Sequence, residues 1–392
     1  MKITPYSKQY IDNKDKLAVS KVLSSNFITS GPIVDMFEKK VRDFSKAKYS
    51  IAVNSATSAL HIACMALNLK KNDILWTVPN SFVASANCGL YCGAKIDFVD
   101  IDNETLNISI ELLEKKLIQS KKKKKLPKIL VVVHFGGASC EMDKIRRLSI
   151  KYGFKIIEDA SHAIGGIFKN FRVGSCRFSD ITVFSFHPVK IITSGEGGMA
   201  LTNNKKLASL MSNLRNHGIV RDRRGLNKKK EIRGYYEQHY LGYNYRITDI
   251  QCALGLSQMS KIKRFIYQRN KIANFYKKSL KNAHVKFQKI PKTVKSTYHL
   301  FVIRINKLLK KKLFNELIKN KFLVNTHYIP IHTHPFFKKK GFKKGDFKIS
   351  EEYYEESISI PVFYGLKHSD QIKVVRIIKR IFEKNKKLTK GI

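Results

Sequence analysis

Apolar and polar positions along this chain fall into two regimes. From about residue 15 to 265, segments with apolar residues at helical spacing alternate with short apolar runs bounded by turn residues. That is the pattern of an α/β domain built on a mostly parallel sheet. The runs predict strands at Ser50–Val53, Ile74–Val78, Lys95–Val99, Ile129–His134, Lys155–Glu158, Ile181–Ser185 and Met199–Thr202, and the segments between them predict helices such as Ser58–Leu67, Ile110–Gln119 and Met142–Tyr152. Ligands of such domains gather in the loops where the strands end. A long helical stretch from Thr248 to Ala283 then leads into a different pattern: the run KSTYHLFVIRI, a helix at Leu309–Lys319, a short segment at Leu323–Tyr328 and a basic amphipathic helix at Asp370–Lys384. The organisation expected is an N-terminal arm over residues 1–14, a large α/β domain over 15–265 and a smaller α+β domain over 266–392.

Composition narrows this picture in three ways. A chain of 392 residues that is 43% hydrophobic can bury a large core. The start, MKITPYSKQYIDNKDK, is charged throughout and does not read as a secretory signal, and the apolar stretch Ile129–Val133 is far shorter than the roughly 20 residues of a membrane helix. A soluble, cytoplasmic protein without a membrane partner is expected. Six cysteines (Cys64, Cys88, Cys92, Cys140, Cys176, Cys252) form no C-x-x-C pair, so they read as free thiols rather than a disulfide framework or a zinc cluster. His332 and His334 stand close together but lack a second ligand pair, and no metal is expected.

The formal net charge of +45 would suit a nucleic-acid binder if the lysines were gathered on one motif. They recur instead in scattered runs such as Lys121–Lys125, Lys228–Lys230 and Lys310–Lys312, with no interleaved aromatic motif and no recognisable reading helix. Each run reads as a solvated face, and no nucleic acid is expected as a partner; the positive surface helps to gather anionic substrates at low salt.

Three segments carry candidate chemistry. Asn54-Ser55-Ala56-Thr57-Ser58 lies between a predicted strand and helix, where backbone N–H groups and a hydroxyl can face an anion, although Ser and Thr also cap helices for structural reasons alone. The strand Lys155–Glu158 runs into Asp159-Ala160-Ser161-His162. Asp159 there can hold a heterocyclic nitrogen protonated or merely cap a following helix, and His162 can sit against a cofactor or be an ordinary packed histidine. The strand Ile181–Ser185 is followed by Phe186-His187-Pro188-Val189-Lys190 and then by Gly195-Glu196-Gly197-Gly198; a lysine desolvated in such a pocket becomes a nucleophile toward an aldehyde.

A phosphate cup, a strand-end Asp and a strand-end Ser with a following Lys, in that order, resemble the fold-type I pyridoxal-phosphate enzymes. More narrowly, ITSGP at Ile28–Pro32, NSATSAL, NSFVAS, EDASHA, FSFHPVK, GEGG, LGYNYRITDIQCALGLSQ, THYIPIH and SISIPVF resemble the DegT/DnrJ/EryC1/StrS sugar aminotransferase family over nearly the whole chain. The resemblance implies a pyridoxal 5′-phosphate enzyme in which Lys190 binds the cofactor covalently and shuttles the proton, Asp159 partners the pyridine nitrogen and His162 stands beside it. It implies phosphate contacts from Ala56, Thr57 and Ser185, and a ring-stacking aromatic in Phe82. Asn244 would reach the cofactor phosphate from the neighbouring subunit of a homodimer with shared active sites. Tyr6, Asn26, Phe27, Ile28, Thr29, His327 and Tyr328 would line the sugar-nucleotide site. The wording of FSFHPVKIITSGEGGMALTN, RNHGIVRD and NSFVASANCGLYCGA resembles the pseudaminic-acid branch. That branch implies L-glutamate as donor, a UDP-linked 4-keto-6-deoxy-N-acetylhexosamine as acceptor and UDP-4-amino-4,6-dideoxy-N-acetyl-β-L-altrosamine as product. Ser194 departs from the threonine that relatives commonly carry, but keeps the hydroxyl. The alternatives are a perosamine-type or other keto-sugar aminotransferase of the same family and, from a different class, a non-catalytic polyanion binder; a dehydratase of this fold would lack a lysine at position 190.

Overall fold

A computed structural model describes residues 3–220 and 234–385 of the chain. The lysine run at 228–230 and the last two residues of RNHGIVRD lie outside them.

Seven strands form the central sheet in the spatial order Tyr49–Val53, Gly198–Thr202, Ile181–Ser185, Lys155–Asp159, Ile129–Val133, Ile74–Thr77, Lys95–Phe98. All neighbours are parallel except Gly198–Thr202, which runs antiparallel to both strands beside it. The continuous apolar runs are explained by burial on both faces, as expected for a parallel sheet covered on each side. Because side chains alternate across the sheet, Ile129 and Val131 pack on one side with Ala59, Leu60 and Ala63, while Leu130 and Val132 pack on the other with Leu113, Met142 and Ile145. Each such buried aliphatic side chain contributes about 1.5–3 kcal/mol through removal from water. The first of these covers is the helix Ala56–Ala66, nearly all of whose side chains are buried, and the second is made by Ile110–Lys122 and Met142–Tyr152.

The predicted helical stretch Thr248–Ala283 is two helices, Asp249–Met259 and Ile262–Ser279. The apolar spacing continues across the junction, which hides the break. It falls at Ser260 and Lys261, and Lys261 there places its ammonium 2.6 Å from the buried carboxylate of Asp15 and 2.7 Å from Asp12. The second helix runs without interruption through residue 265, where the domain junction was expected. In the short segment Leu323–Tyr328, Leu323 belongs to a two-residue strand with Phe322 that pairs in parallel with Thr4–Pro5 of the N-terminal arm, and Asn325 makes an isolated antiparallel bridge to Ser359. Helices not singled out from the sequence include Asn13–Leu23, Pro32–Ser45, Ala84–Tyr91, Lys205–Leu214, Pro335–Lys338 and Lys348–Glu356.

The C-terminal portion has its own core. Strands Lys286–Phe287, Phe301–Arg304 and Ser357–Ile360 form an antiparallel sheet, packed against Lys307–Lys319, His368–Glu383 and the end of Ile262–Ser279. No helix among the described residues is long and apolar enough to cross a membrane.

Candidate active site

The strands Tyr49–Val53, Lys155–Asp159 and Ile181–Ser185 finish at the same edge of the sheet, and the antiparallel strand begins there at Gly198, opposite both Val53 and Ser185. Above this edge lies a cavity of about 570 Å³, within the usual range for small-molecule sites. It brings together Tyr6, Ala56, Thr57, Phe82, Asp159, His162, Ser185, Lys190, His327 and Tyr328. A larger surface hollow of about 710 Å³ lies on the C-terminal portion; lysines and glutamates line it in equal number, and none of the residues singled out from the sequence reaches it.

At the phosphate cup, structural capping and ligand capacity are divided between residues. Ser55 caps the helix by accepting from the Ser58 N–H (3.1 Å), and the Ser58 hydroxyl donates to Asn54 Oδ1 (2.6 Å). The Thr57 hydroxyl is left without a hydrogen bond among the described residues and faces the cavity beside the positive end of the helix dipole. Gly198 makes this approach possible: a Cβ there would lie 2.3 Å from Ser55 C and 2.4 Å from Ala56 N.

Asp159 does not cap a helix, since the chain after it turns. Its Oδ1 accepts from the Ser161 hydroxyl (2.6 Å) and backbone N–H (3.2 Å), and its Oδ2 accepts from the Ser85 hydroxyl (2.7 Å). The carboxylate is 7% exposed and has no cationic partner within ion-pair distance among the described residues. Such a buried carboxylate is a strong partner for a cation that enters the cavity. Ser85 was not read as a site residue, although NSFVAS places it one helical turn after Phe82.

Lys190 follows the strand end through a turn in which its N–H donates to His187 O (2.9 Å), and the loop closes where Ser194 N–H and Thr193 Oγ1 both donate to Phe186 O. The Ser194 hydroxyl donates to Glu196 O (2.7 Å), so this residue uses the group it keeps. The cavity walls desolvate the Lys190 amine and pull its pKa down to about 8, against a smaller upward pull from the Asp159 charge. Burial, with the Lys190 charge second, also drives His162 well below the ordinary histidine range, so that its ring is neutral at pH 7.

His162 is packed on both sides. Its Nε2 lies 3.0 Å from the Tyr328 hydroxyl, the Tyr328 ring stacks at 17°, and the His299 ring lies 4.3 Å away on centroids. His162 Nδ1 is buried without a hydrogen-bond partner among the described residues. His299, Ser161, Asn325 and Thr326 complete this wall and were not singled out from the sequence. Tyr6 packs on His327 at 4.9 Å, and His327 Nδ1 bonds the Ser359 hydroxyl at 2.8 Å; burial brings its pKa down to about 3. Phe82 is 59% exposed and stands at the cavity wall, tilted toward Tyr328.

Five of the predicted residues do not reach the cavity. Asn26, Phe27, Ile28, Thr29 and Asn244 are exposed, and they share one surface: Thr29 bridges Thr248, Asp249 N–H donates to Ile28 O, and Asn244 bridges Asn216. Phe27 and Asn216 line a hollow of about 460 Å³ there. His332, one of the paired histidines, is bonded to Glu351 at 2.8 Å.

The model of the DegT/DnrJ/EryC1/StrS aminotransferase family matches residues 9–379. Similar proteins include the UDP-4-amino-4,6-dideoxy-N-acetyl-β-L-altrosamine transaminase of Campylobacter jejuni, 42% identical over 76% of this chain and 75% of that protein. GDP-perosamine synthase of Escherichia coli is 34% identical over 77% of this chain and 78% of that protein. Among solved structures, Helicobacter pylori PseC, an aminotransferase involved in the biosynthesis of pseudoaminic acid, superposes with a TM-score of 0.88 at 31% identity, covering 98% of this chain and 100% of that one.

Proposed function

Since the chain belongs to the DegT/DnrJ/EryC1/StrS family and is a pyridoxal 5′-phosphate aminotransferase acting on a nucleotide sugar, we propose that it moves the amino group of L-glutamate to C4 of UDP-2-acetamido-2,6-dideoxy-β-L-arabino-hex-4-ulose. The product is then UDP-4-amino-4,6-dideoxy-N-acetyl-β-L-altrosamine, in the pseudaminic acid pathway. The observation that carries this branch is the identity gap: 42% to the altrosamine transaminase against 34% to the perosamine synthase, over similar shares of the chain. Six free cysteines, five of them buried, suit a reducing cytoplasmic compartment.

The residues present fit the cofactor. A buried carboxylate held by two hydroxyls, an amine with a lowered pKa and a helix N-terminus with a spare hydroxyl surround one cavity. When bound, pyridoxal phosphate supplies an aldehyde that carries the amino group and a ring that accepts the electron pair left by a departing proton. Thr57 and Ser185, with the backbone N–H of Ala56, would hold the phosphate, Phe82 would pack on the ring, and Asp159 would keep the ring nitrogen protonated. Lys190 Nζ takes the proton from the glutamate α-carbon and later returns one to the sugar C4. His162, neutral and fixed by Tyr328, packs beside the ring without adding charge. Tyr6, His327 and Tyr328 face the sugar nucleotide.

The working unit proposed is a homodimer with shared sites. Asn244 of one copy reaches the cofactor phosphate of the other, and residues 26–29 border its substrate. The support is that both groups sit side by side on one exposed surface that includes Phe27 and Ile28, 56% and 51% exposed.

Incubation of the purified protein with glutamate and the UDP-4-keto sugar is expected to yield 2-oxoglutarate and the 4-amino sugar, identified by NMR. Amination of a GDP-linked 4-keto sugar in its place would reassign the branch, and amination of neither would reject the reading. Gly198→Ala tests the cup separately. The added methyl group must push the Ser55–Ala56 peptide, and overpacking of this kind costs about 1–3 kcal/mol. Cofactor affinity measured by equilibrium dialysis is expected to fall about 5- to 150-fold, the same free energy expressed as binding.

A further inference from the structure

Arg269, on the helix Ile262–Ser279, is a cation that the mechanism above does not use, yet it is 2% exposed. No carboxylate pairs with it among the described residues, and burial alone draws its pKa down to about 9. An unpaired buried charge is costly, so what its donors hold matters. Nη1 donates to Val362 O (2.7 Å), His299 O (3.1 Å) and Tyr298 O (3.3 Å), and Nη2 lies 3.4 Å from the Ser7 hydroxyl oxygen. The Ser7 hydroxyl in turn donates to Val189 O (2.8 Å), the carbonyl immediately before Lys190. Val362 N–H donates to Tyr6 O (2.9 Å).

Arg269 therefore ties together three stretches of irregular backbone that carry cavity-wall residues: Tyr6 on the N-terminal arm, Lys190 after the FSF strand, and His299 before the strand Phe301–Arg304. It is not itself part of that wall. A guanidinium suits the task because its planar fork offers several donors in fixed directions, whereas an ammonium is a single point. With Lys190, Arg269 also lines a void of about 10 Å³ on the far side of the loop, where no acid is present.

We infer that Arg269 is a positioning residue for Lys190, acting through the Ser7 hydroxyl to fix the carbonyl of Val189 and hence the direction from which the Lys190 amine enters the cavity. This rests on Lys190 being the cofactor-binding lysine, and the test separates the two claims. Cofactor-free protein is mixed with pyridoxal 5′-phosphate and quenched with borohydride at intervals, and the label on the Lys190 peptide is quantified by mass spectrometry. Ser7→Ala, which removes only the link, is expected to keep the folded circular dichroism spectrum and to label Lys190 about tenfold more slowly, since displacement by a fraction of an ångström is enough to lose alignment. Arg269→Lys keeps the charge without the fork and is expected to slow labelling to a similar degree. The double variant is expected to be no slower than the slower single one, because both changes break one chain of contacts. Labelling of Ser7→Ala within twofold of the unaltered protein overturns the inference, as does an additive double variant. If Arg269→Lys does not fold, Ser7→Ala decides alone. Absence of label on Lys190 in the unaltered protein rejects the reading of Lys190 itself, and this inference with it.

Discussion

Lys190→Ala is expected to abolish turnover and to remove the visible absorbance that arises from the covalent bond between cofactor and lysine. Two losses combine: the nucleophile that binds the aldehyde, and the base that moves the proton between carbon atoms. The proton transfer alone accounts for about 10²–10⁴-fold in rate. The fold should survive, because the side chain lines a cavity and the turn around it is closed by main-chain bonds that alanine keeps, Lys190 N–H to His187 O among them. The unfolding free energy is therefore expected to change by no more than about 0.5 kcal/mol. Small primary amines added to the variant should restore part of the rate by supplying the missing base. The amine's lowered pKa adds a pH signature in the unaltered protein: cofactor capture rises about tenfold per pH unit below about 8 and levels above it, in place of rising to the ordinary lysine value near 10.5. A variant that stays yellow and active, or capture that still climbs steeply above pH 9, would remove Lys190 from its role.

The sheet was legible because a parallel strand buried on both faces has to be apolar throughout. ILVVV at Ile129–Val133 has all five side chains buried, and ITVFS at Ile181–Ser185 likewise. The strand ends were legible for the same reason, since polarity returns at Asp159 and Ser185 where the chain leaves the core for the cavity. What could not be read was contact between distant segments. Ser85 stands 74 residues from the Asp159 carboxylate that it holds, and nothing local distinguishes it from a helix serine. His299 follows an irregular stretch and meets His162 only through the packing of the C-terminal portion on the sheet. Arg269 lies in IKRFIYQRNK among other bases, and in a chain with 75 lysines and arginines its burial leaves no mark in composition. The positions 26–29 and 244 show the opposite case: the resemblance assigns them to a site, while the packing of one chain leaves them on its surface. In the proposed homodimer these residues would act across the subunit boundary, and such a role carries no signature in the contacts of their own chain.

Asp159→Asn is expected to separate two effects that a general disruption would not. Asparagine has the same shape. Its amide oxygen can accept from one serine, and the hydroxyl of the other can turn to accept from the amide nitrogen, so Ser85 and Ser161 remain satisfied and stability changes little. The charge, however, is gone. Breaking a buried charge pair by removing one partner costs about 3–5 kcal/mol. If the ring nitrogen is the other partner, kcat falls by about two to four orders of magnitude at equal cofactor loading. The same substitution acts on Lys190 with a definite sign. The Asp159 charge now raises the Lys190 pKa against desolvation, so its removal lets that pKa fall further below about 8. Covalent capture of the cofactor should then reach half its maximal rate at a lower pH than in the unaltered protein, even as turnover drops. Turnover within tenfold of normal would show that no cation in the working enzyme depends on this carboxylate. A capture midpoint that stays in place or moves upward would show that the Lys190 amine does not feel it, and the cavity would then have to be read without the pairing of these two residues.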